Sequence, residues 1–277
     1  MIQRSFNSKN LKQDKRNIIA IIKFFLFSII ILLLIGGIVG TVYGVKKWMK
    51  CCPYFYVSSV QVDGNKKLSN NEILKLSGIK EGDNIFSIDL NKVRDQILKN
   101  PWIKNVSIER RLPDTISIHI VERVPFGLVR INERIYMVDS DGTPFKPLKP
   151  KDSFSAPIIT GVELSEIATN NYQDLAALVD SSKMADALKI IKMSKKGVRA
   201  LGFNNISQID FPDDNTIVIY TADKAVPFYL NRQNLVKQFY RAEKILVQLY
   251  NSGQYQKVLS VNVGYGENTA LAKLKSK

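Results

Sequence analysis

Few residues in this chain of 277 have the type and spacing that chemistry requires. His119 is the only histidine. A zinc site needs further Cys or His ligands, and a catalytic base needs a nucleophile and an orienting acid. Neither set surrounds "SIHIV" (117–121), where the imidazole alternates with isoleucines and reads as a structural or surface group. Cys51 and Cys52 are adjacent, a poor geometry for a disulfide, and there is no third cysteine to pair with. "GYGENT" (264–269) resembles a glycine-rich nucleotide loop but lacks the third glycine and precedes a strand pattern instead of a helix. "DSDG" (139–142) lacks the ligand spacing and distal glutamate of a calcium loop. Asp213 and Asp214 sit in a turn and read as solvated. Paired carboxylates for glycoside hydrolysis depend on a spatial separation that sequence does not carry. The expectation is no metal, no cofactor and no catalytic residue.

The elements around these residues explain their poverty in chemistry. Phe24–Val45 runs without a charged residue, a length that matches the hydrocarbon core of a bilayer. A cleavable signal would have a shorter apolar stretch and a small-residue cut site, so the run reads as an uncleaved anchor. Arg4, Lys9, Lys12, Lys15, Arg16 and Lys23 precede it against one acid, Asp14, and outnumber Lys46, Lys47 and Lys50 behind it. That asymmetry keeps the N-terminus cytoplasmic and places the bulk of the chain outside. Trp48 then falls at the interface. Cys51 and Cys52 are two small residues just past the membrane boundary, with an intermolecular bridge or acylation as the alternatives.

The chain carries 40 Lys+Arg against 25 Asp+Glu, a formal net charge of +15. With the bulk outside the cytoplasm, nucleic acid is excluded as a partner, and the basic tail is accounted for by topology and anionic headgroups. Gly36, Gly40 and Gly44 recur at four-residue spacing, which stacks them on one helix face and favours close packing of a second membrane helix. The alternative is that glycine is simply common in such helices.

The exterior begins with a strand pattern at Val57–Val62, closed by a turn at Asp63–Asn65. Ser69 and Glu72 form a capping box for a helix that stops at Gly78. A second helix runs from about Leu90 to Lys99 behind Asp89 as its cap. Strands at Lys104–Arg110 and Thr115–Glu122 follow, joined by "RLPD". In the latter, Ile116, Ile118 and Ile120 point one way and Ser117, His119 and Val121 the other. Later strands are expected at Phe126–Ile131, Ile135–Val138, Ile206–Phe211, Thr216–Tyr220, Val226–Leu230, Val258–Val263 and Thr269–Leu274. Helical spacing marks 174–195, interrupted near Ser181–Ser182, and Asn234–Tyr250. The fold class is α+β: one N-terminal transmembrane helix, a βααββ domain, and a second, β-rich α+β domain ending in two strands. Boundaries fall at 1–23, 24–45, 54–123 and 124–277.

The order strand–helix–helix–strand–strand resembles the POTRA domain. In "VSSVQVDGN", "NPWIKNVSIERRLPDTISIHIVERVP", "YMVDSDGTPF" and "APIITG" the chain is similar to the FtsQ/DivIB family of bacterial cell-division proteins. On this resemblance "ERVP" is the exit from the POTRA-like domain. The resemblance implies a non-enzymatic bitopic scaffold at the division septum of the cytoplasmic (inner) membrane. Its implied partners are FtsB-like and FtsL-like bitopic proteins at the last strands, and other division proteins at the POTRA-like domain. The corresponding stretch is "VNVGYGENTALAKL", with Tyr265, Gly266, Glu267, Asn268, Thr269, Ala270 and Leu271 as the expected contact residues and Tyr265 as the aromatic anchor. Glu267 and Asn268 depart from the Gly or Ser of many relatives. Asn tolerates the left-handed backbone such a turn needs, whereas Glu267 alters the local charge. Two alternatives are a POTRA protein of outer-membrane assembly or secretion, which usually has several POTRA repeats and a β-barrel, and a membrane-anchored cell-wall hydrolase, for which no catalytic group is found.

Overall fold

The computed structural model describes residues 8–163, 179–196, 200–264 and 269–275. It is a mixed α+β chain of two compact units, Met1–Ile97 with Ser107–His119, and Leu98–Val106 with Ile120–Lys277.

In the first unit, helix α1 (Ser8–Cys51) contains a stretch from Lys23 to Cys51 with mean hydropathy 2.7 and no buried residue. It is long and apolar enough to cross a membrane. The two aliphatic hydroxyls within the apolar run bond to the helix itself: Ser28 Oγ donates to the Phe24 carbonyl at 2.9 Å, and Thr41 Oγ1 to the Gly37 carbonyl at 2.9 Å. In hydrocarbon no water would satisfy them, so this back-bonding matters there.

Strand β1 (Ser59–Asp63), helices α2 (Asn70–Ser77) and α3 (Leu90–Leu98), and strands β2 (Ile103–Arg111) and β3 (Thr115–Glu122) follow in the expected order. The capping box forms as read: the Ser69 hydroxyl accepts from the Glu72 N–H, and Glu72 accepts from the Ser69 N–H at 2.8 Å. Asp89 Oδ1 accepts from the N–H groups of Asn91 and Lys92, satisfying two orphan donors of α3. The sheet order is β1-β3-β2, so β3 is the central strand, pairing parallel with β1 in the register Ser59↔Thr115 to Asp63↔His119.

Ile73, Ile85, Ile97, Ile116 and Ile118 are fully buried. His119 is exposed, but Ser117 is only 6 % exposed, so the face opposite the isoleucines is covered at Ser117. Alternation assigns a side chain to a face and says nothing about whether that face is covered.

In the second unit, β4 (Gly127–Ile131), β5 (Arg134–Val138), β6 (Pro144–Pro147), β7 (Ile158–Thr160), β8 (Ile206–Asp210), β9 (Thr216–Thr221), β10 (Pro227–Asn231), β11 (Val258–Asn262) and β12 (Leu271–Leu274) form one nine-stranded sheet. Its order is β12-β11-β10-β9-β8-β7-β4-β5-β6. Three neighbours are parallel, β4–β7, β7–β8 and β10–β11, and the rest are antiparallel.

Helix α4 (Ser181–Ser194) starts at the interruption expected near Ser181–Ser182. Asp180 caps it, accepting from Ser182 and Lys183 N–H, while 174–178 lie outside the described residues. Helix α5 (Leu235–Asn251) connects the parallel strands β10 and β11, as a crossover must. It buries Leu235, Phe239, Ala242, Leu246 and Leu249, a 3.6-residue stripe, in the core that also takes Val129, Ile159, Ile209, Ile219, Phe228 and Val261.

The strands β6 and β7 were not expected. β7 is a three-residue interior strand of the sheet inside "APIITG", too short for alternation to register. Gly161 ends it at φ +73, and a Cβ there would lie 2.2 Å from the Phe211 carbonyl oxygen, so only glycine lets the two backbones meet.

Candidate functional site

β12 is the last strand of the sheet, with β11 on one side and no strand on the other among the described residues. Its register is Asn262↔Leu271, Val261↔Ala272, Ser260↔Lys273 and Val258↔Leu274, with a bulge in β11 between Val258 and Ser260. All four residues are exposed, Leu271 at 59 % and Leu274 at 41 %. A short strand of Leu, Ala, Lys and Leu with its outer backbone unpaired is a template for another strand, and a lysine is one common way of protecting such an edge.

The parity of this edge follows from one hydrogen bond. The Lys275 N–H donates to the Lys257 carbonyl at 2.8 Å, so it points at β11. In an antiparallel ladder the direction alternates residue by residue. Lys273 and Leu271 therefore face β11 with their backbone groups, and Ala272 and Leu274 direct theirs outward.

Side chains have their own two faces. Ala272 is in line with Val261, Phe228 and Ile219, on the helix-covered face. Leu271 is in line with Asn262, Tyr229, Val218 and Asp210 on the opposite face. Near β4–β6 that opposite face is covered by a second cluster, in which Leu128, Met137 and Phe145 are joined by Trp102 and Phe154. Towards the edge it is more open: Tyr229 is 37 % exposed. Tyr220, also on this face, is held above the usual phenol range by burial first and by the nearby charge of Asp210 second, so it remains a neutral donor.

Of the expected contact residues, Leu271 opens β12, and Thr269 and Ala270 are exposed in the segment before it. Tyr265, Gly266, Glu267 and Asn268 lie outside the described residues. Gly36, Gly40 and Gly44 are within α1, with open space where each Cβ would be. Tyr229 was not singled out from sequence. The alternation of "PFYLN" carries the signal, since it sets Tyr229 opposite Phe228 and Leu230, but nothing local says that its face lies beside an edge.

Among the described residues no group of three or more His, Cys, Asp or Glu could hold a metal ion. The carboxylates of "DSDG" are already engaged. Asp139, 2 % exposed, pairs with Arg123, and Asp141 pairs with Lys104 at 2.5 Å, the hydrogen bond that chiefly holds its carboxyl below the usual range.

A family model described as the FtsQ-type POTRA domain matches residues 55–123, and one described as the C-terminal part of cell division protein FtsQ/DivIB matches residues 127–265. The chain belongs to the FtsQ/DivIB family. Cell division protein FtsQ of Syntrophotalea carbinolica is 32 % identical over 196 residues, covering 71 % of this chain and 67 % of its own. FtsQ of Geotalea daltonii is 29 % identical over 207 residues, covering 75 % and 72 %. Cell division protein DivIB of Clostridium acetobutylicum is 40 % identical over 90 residues, covering 32 % and 36 %. FtsQ/DivIB membership, with one helix able to span a bilayer, makes this a division-related, membrane-anchored protein of a family that works in a division complex.

Proposed function

We propose that this FtsQ/DivIB protein is a non-enzymatic bitopic scaffold that links division proteins at the septum by β-augmentation at β12. In this reading residues 1–23 are cytoplasmic, 54–123 and 124–277 are extracytoplasmic, and FtsB-like and FtsL-like proteins supply the incoming segment. The observation that carries it is β12 itself: an exposed terminal strand whose outer backbone groups have no strand partner among the described residues. Main-chain hydrogen bonds would supply affinity, and side-chain contacts specificity. Tyr265 is the proposed aromatic anchor, and Gly36, Gly40 and Gly44 a face for a second membrane helix.

Proline scanning of the edge tests the reading. Ala272→Pro removes an outward N–H, so it should abolish capture of an FtsB-like peptide while the sheet stays folded. Lys273→Pro removes an inward one and should loosen β12 from β11. Tyr265→Ala should weaken the same capture by roughly thirtyfold, the equivalent of about 2 kcal/mol for an interfacial aromatic. Full-strength capture by a folded Ala272→Pro protein would sink β-augmentation at this edge.

A further inference from the structure

The first globular unit is fastened to the end of α1, at a height that decides where it sits. Asn84, 8 % exposed, donates its side-chain N–H to the Met49 carbonyl at 2.9 Å. It thereby caps an orphan carbonyl in the last turn of α1, the role a C-cap residue would otherwise fill. Trp48 meets Phe55 edge to face at 6.3 Å between ring centroids, and Phe55 meets Phe86 at 5.1 Å. Tyr56 bridges to Asn84, and the Val57 N–H donates to the Asp83 carbonyl at 2.8 Å. Helix and domain therefore meet without a free linker.

Met49 lies four residues beyond Val45, the last apolar residue of the run, or about 6 Å along a helix rising 1.5 Å per residue. The polar layer on each side of a hydrocarbon core is about 5–8 Å deep. Asn84 thus grips the helix inside the headgroup layer, and the loops next to Asn84 belong at that level.

The turn between β2 and β3 is one of those loops. Arg110 donates Nε to the Ile85 carbonyl at 2.8 Å and Nη2 to the Ile88 carbonyl at 2.6 Å, one residue and four residues from Asn84. The Ser58 N–H and hydroxyl donate to Asp114 at 3.0 and 2.6 Å, tying the far side of the turn to the strand that leaves the membrane. At its tip Leu112 is 60 % exposed beside exposed Arg111, and Tyr54 is 68 % exposed. Lys46, Lys47 and Lys50 add positive charge at the same level. An exposed leucine and tyrosine among cations have the chemistry of an interfacial contact: apolar groups enter between headgroups while Arg and Lys meet phosphates.

We infer that the membrane-proximal end of this unit, with Leu112 and Tyr54 at its tip, rests in the lipid headgroup layer, so that the unit is held at a set orientation to the bilayer. The inference rests on α1 spanning that bilayer. It is tested in the full chain, in nanodiscs containing phosphatidylglycerol and a lipid with a nitroxide headgroup, by quenching of a single tryptophan. Trp102→Phe leaves Trp48 as the reference. Trp48→Phe and Trp102→Phe combined with Leu112→Trp, or with Lys66→Trp, place the reporter at the turn or beyond the other end of β1, about 17 Å away along a five-residue strand.

Quenching at position 112 within about a factor of two of that at Trp48, and several-fold stronger than at position 66, is expected for an interfacial residue. Quenching at 112 no stronger than at 66, while Trp48 is quenched, would overturn the docking and leave the anchor standing. An unquenched Trp48 would overturn the anchor itself, and the docking with it.

Discussion

Arg123 and Asp139 form an ion pair that joins two of the motifs read in the sequence, the arginine of "ERVP" and the first aspartate of "DSDG". The carboxylate is 2 % exposed and also accepts from the N–H groups of Asp141 and Thr143, both at 3.0 Å, while Arg123 lies over the Phe145 ring. The pair fixes the turn after β5 to the start of the segment leading into β4. Breaking one side of such a pair strands a charge, which costs far more than the intact pair contributes.

Arg123→Ala should therefore destabilise the second unit by roughly 3 kcal/mol or more, as expected when one partner of a buried pair is removed. Adding Asp139→Asn should recover much of that loss, because the amide oxygen still accepts the two backbone N–H bonds without a charge. Denaturation midpoints of the single and double variants decide it. A double variant no more stable than Arg123→Ala would show that the stranded charge is not the cause.

β3 supplies a contrast within one strand. Ile118 is fully buried, Ser117 6 % exposed and His119 exposed. Ile118→Asp should open the first unit, since an unpaired carboxylate is costly to desolvate. Ser117→Asp should also be costly, and His119→Ser should change stability by less than about 1 kcal/mol, as most surface substitutions do. Amide hydrogen exchange over residues 57–119 of the full chain reads the difference. Native-like protection in Ser117→Asp would contradict the covered face.

Tyr255 gives the second unit an alkaline limit. Its hydroxyl, on a ring 2 % exposed, donates to Asp223 at 2.6 Å and lies 3.0 Å from Thr221 Oγ1. Burial first, and the hydrogen bond to Asp223 second, push the phenol well above its ordinary value of 10.0. Above pH 10 the unfolded chain sheds a proton that the folded chain keeps, so stability present at neutral pH falls as pH rises. Tyr255→Phe should lower stability at pH 8 yet flatten the decline between about pH 10 and 11.5. Equal slopes in the two proteins would remove Tyr255 as the source.

Orientation has a direct readout. In the proposed orientation, drawn from the basic excess before Phe24, the N-terminus is cytoplasmic and both globular units lie outside. A reporter active only in the cytoplasm should be silent when fused after Lys277 and active when fused before Met1. The opposite pattern would reverse the topology.

Local chemistry on its own was enough for the membrane helix, the capping box at Ser69–Glu72, the Asp89 cap and the amphipathic α5. Each depends on residues within a few positions of one another, where uninterrupted apolarity, a side chain reaching its own backbone, or a 3.6-residue stripe is decisive. Tertiary structure alone decided what is non-local. The short strands β6 and β7 exist because their neighbours complete the ladder, and Ser117 is buried because its face is covered. β12 is an edge, with Ala272 and Leu274 outward, because the nine-strand order ends there. The turn that carries Leu112 is held by Arg110, which bonds the Ile85 and Ile88 carbonyls next to Asn84, and Asn84 in turn bonds the Met49 carbonyl near the end of α1. Such relationships join residues many positions apart, and no periodicity within a single segment encodes which other segment will lie beside it.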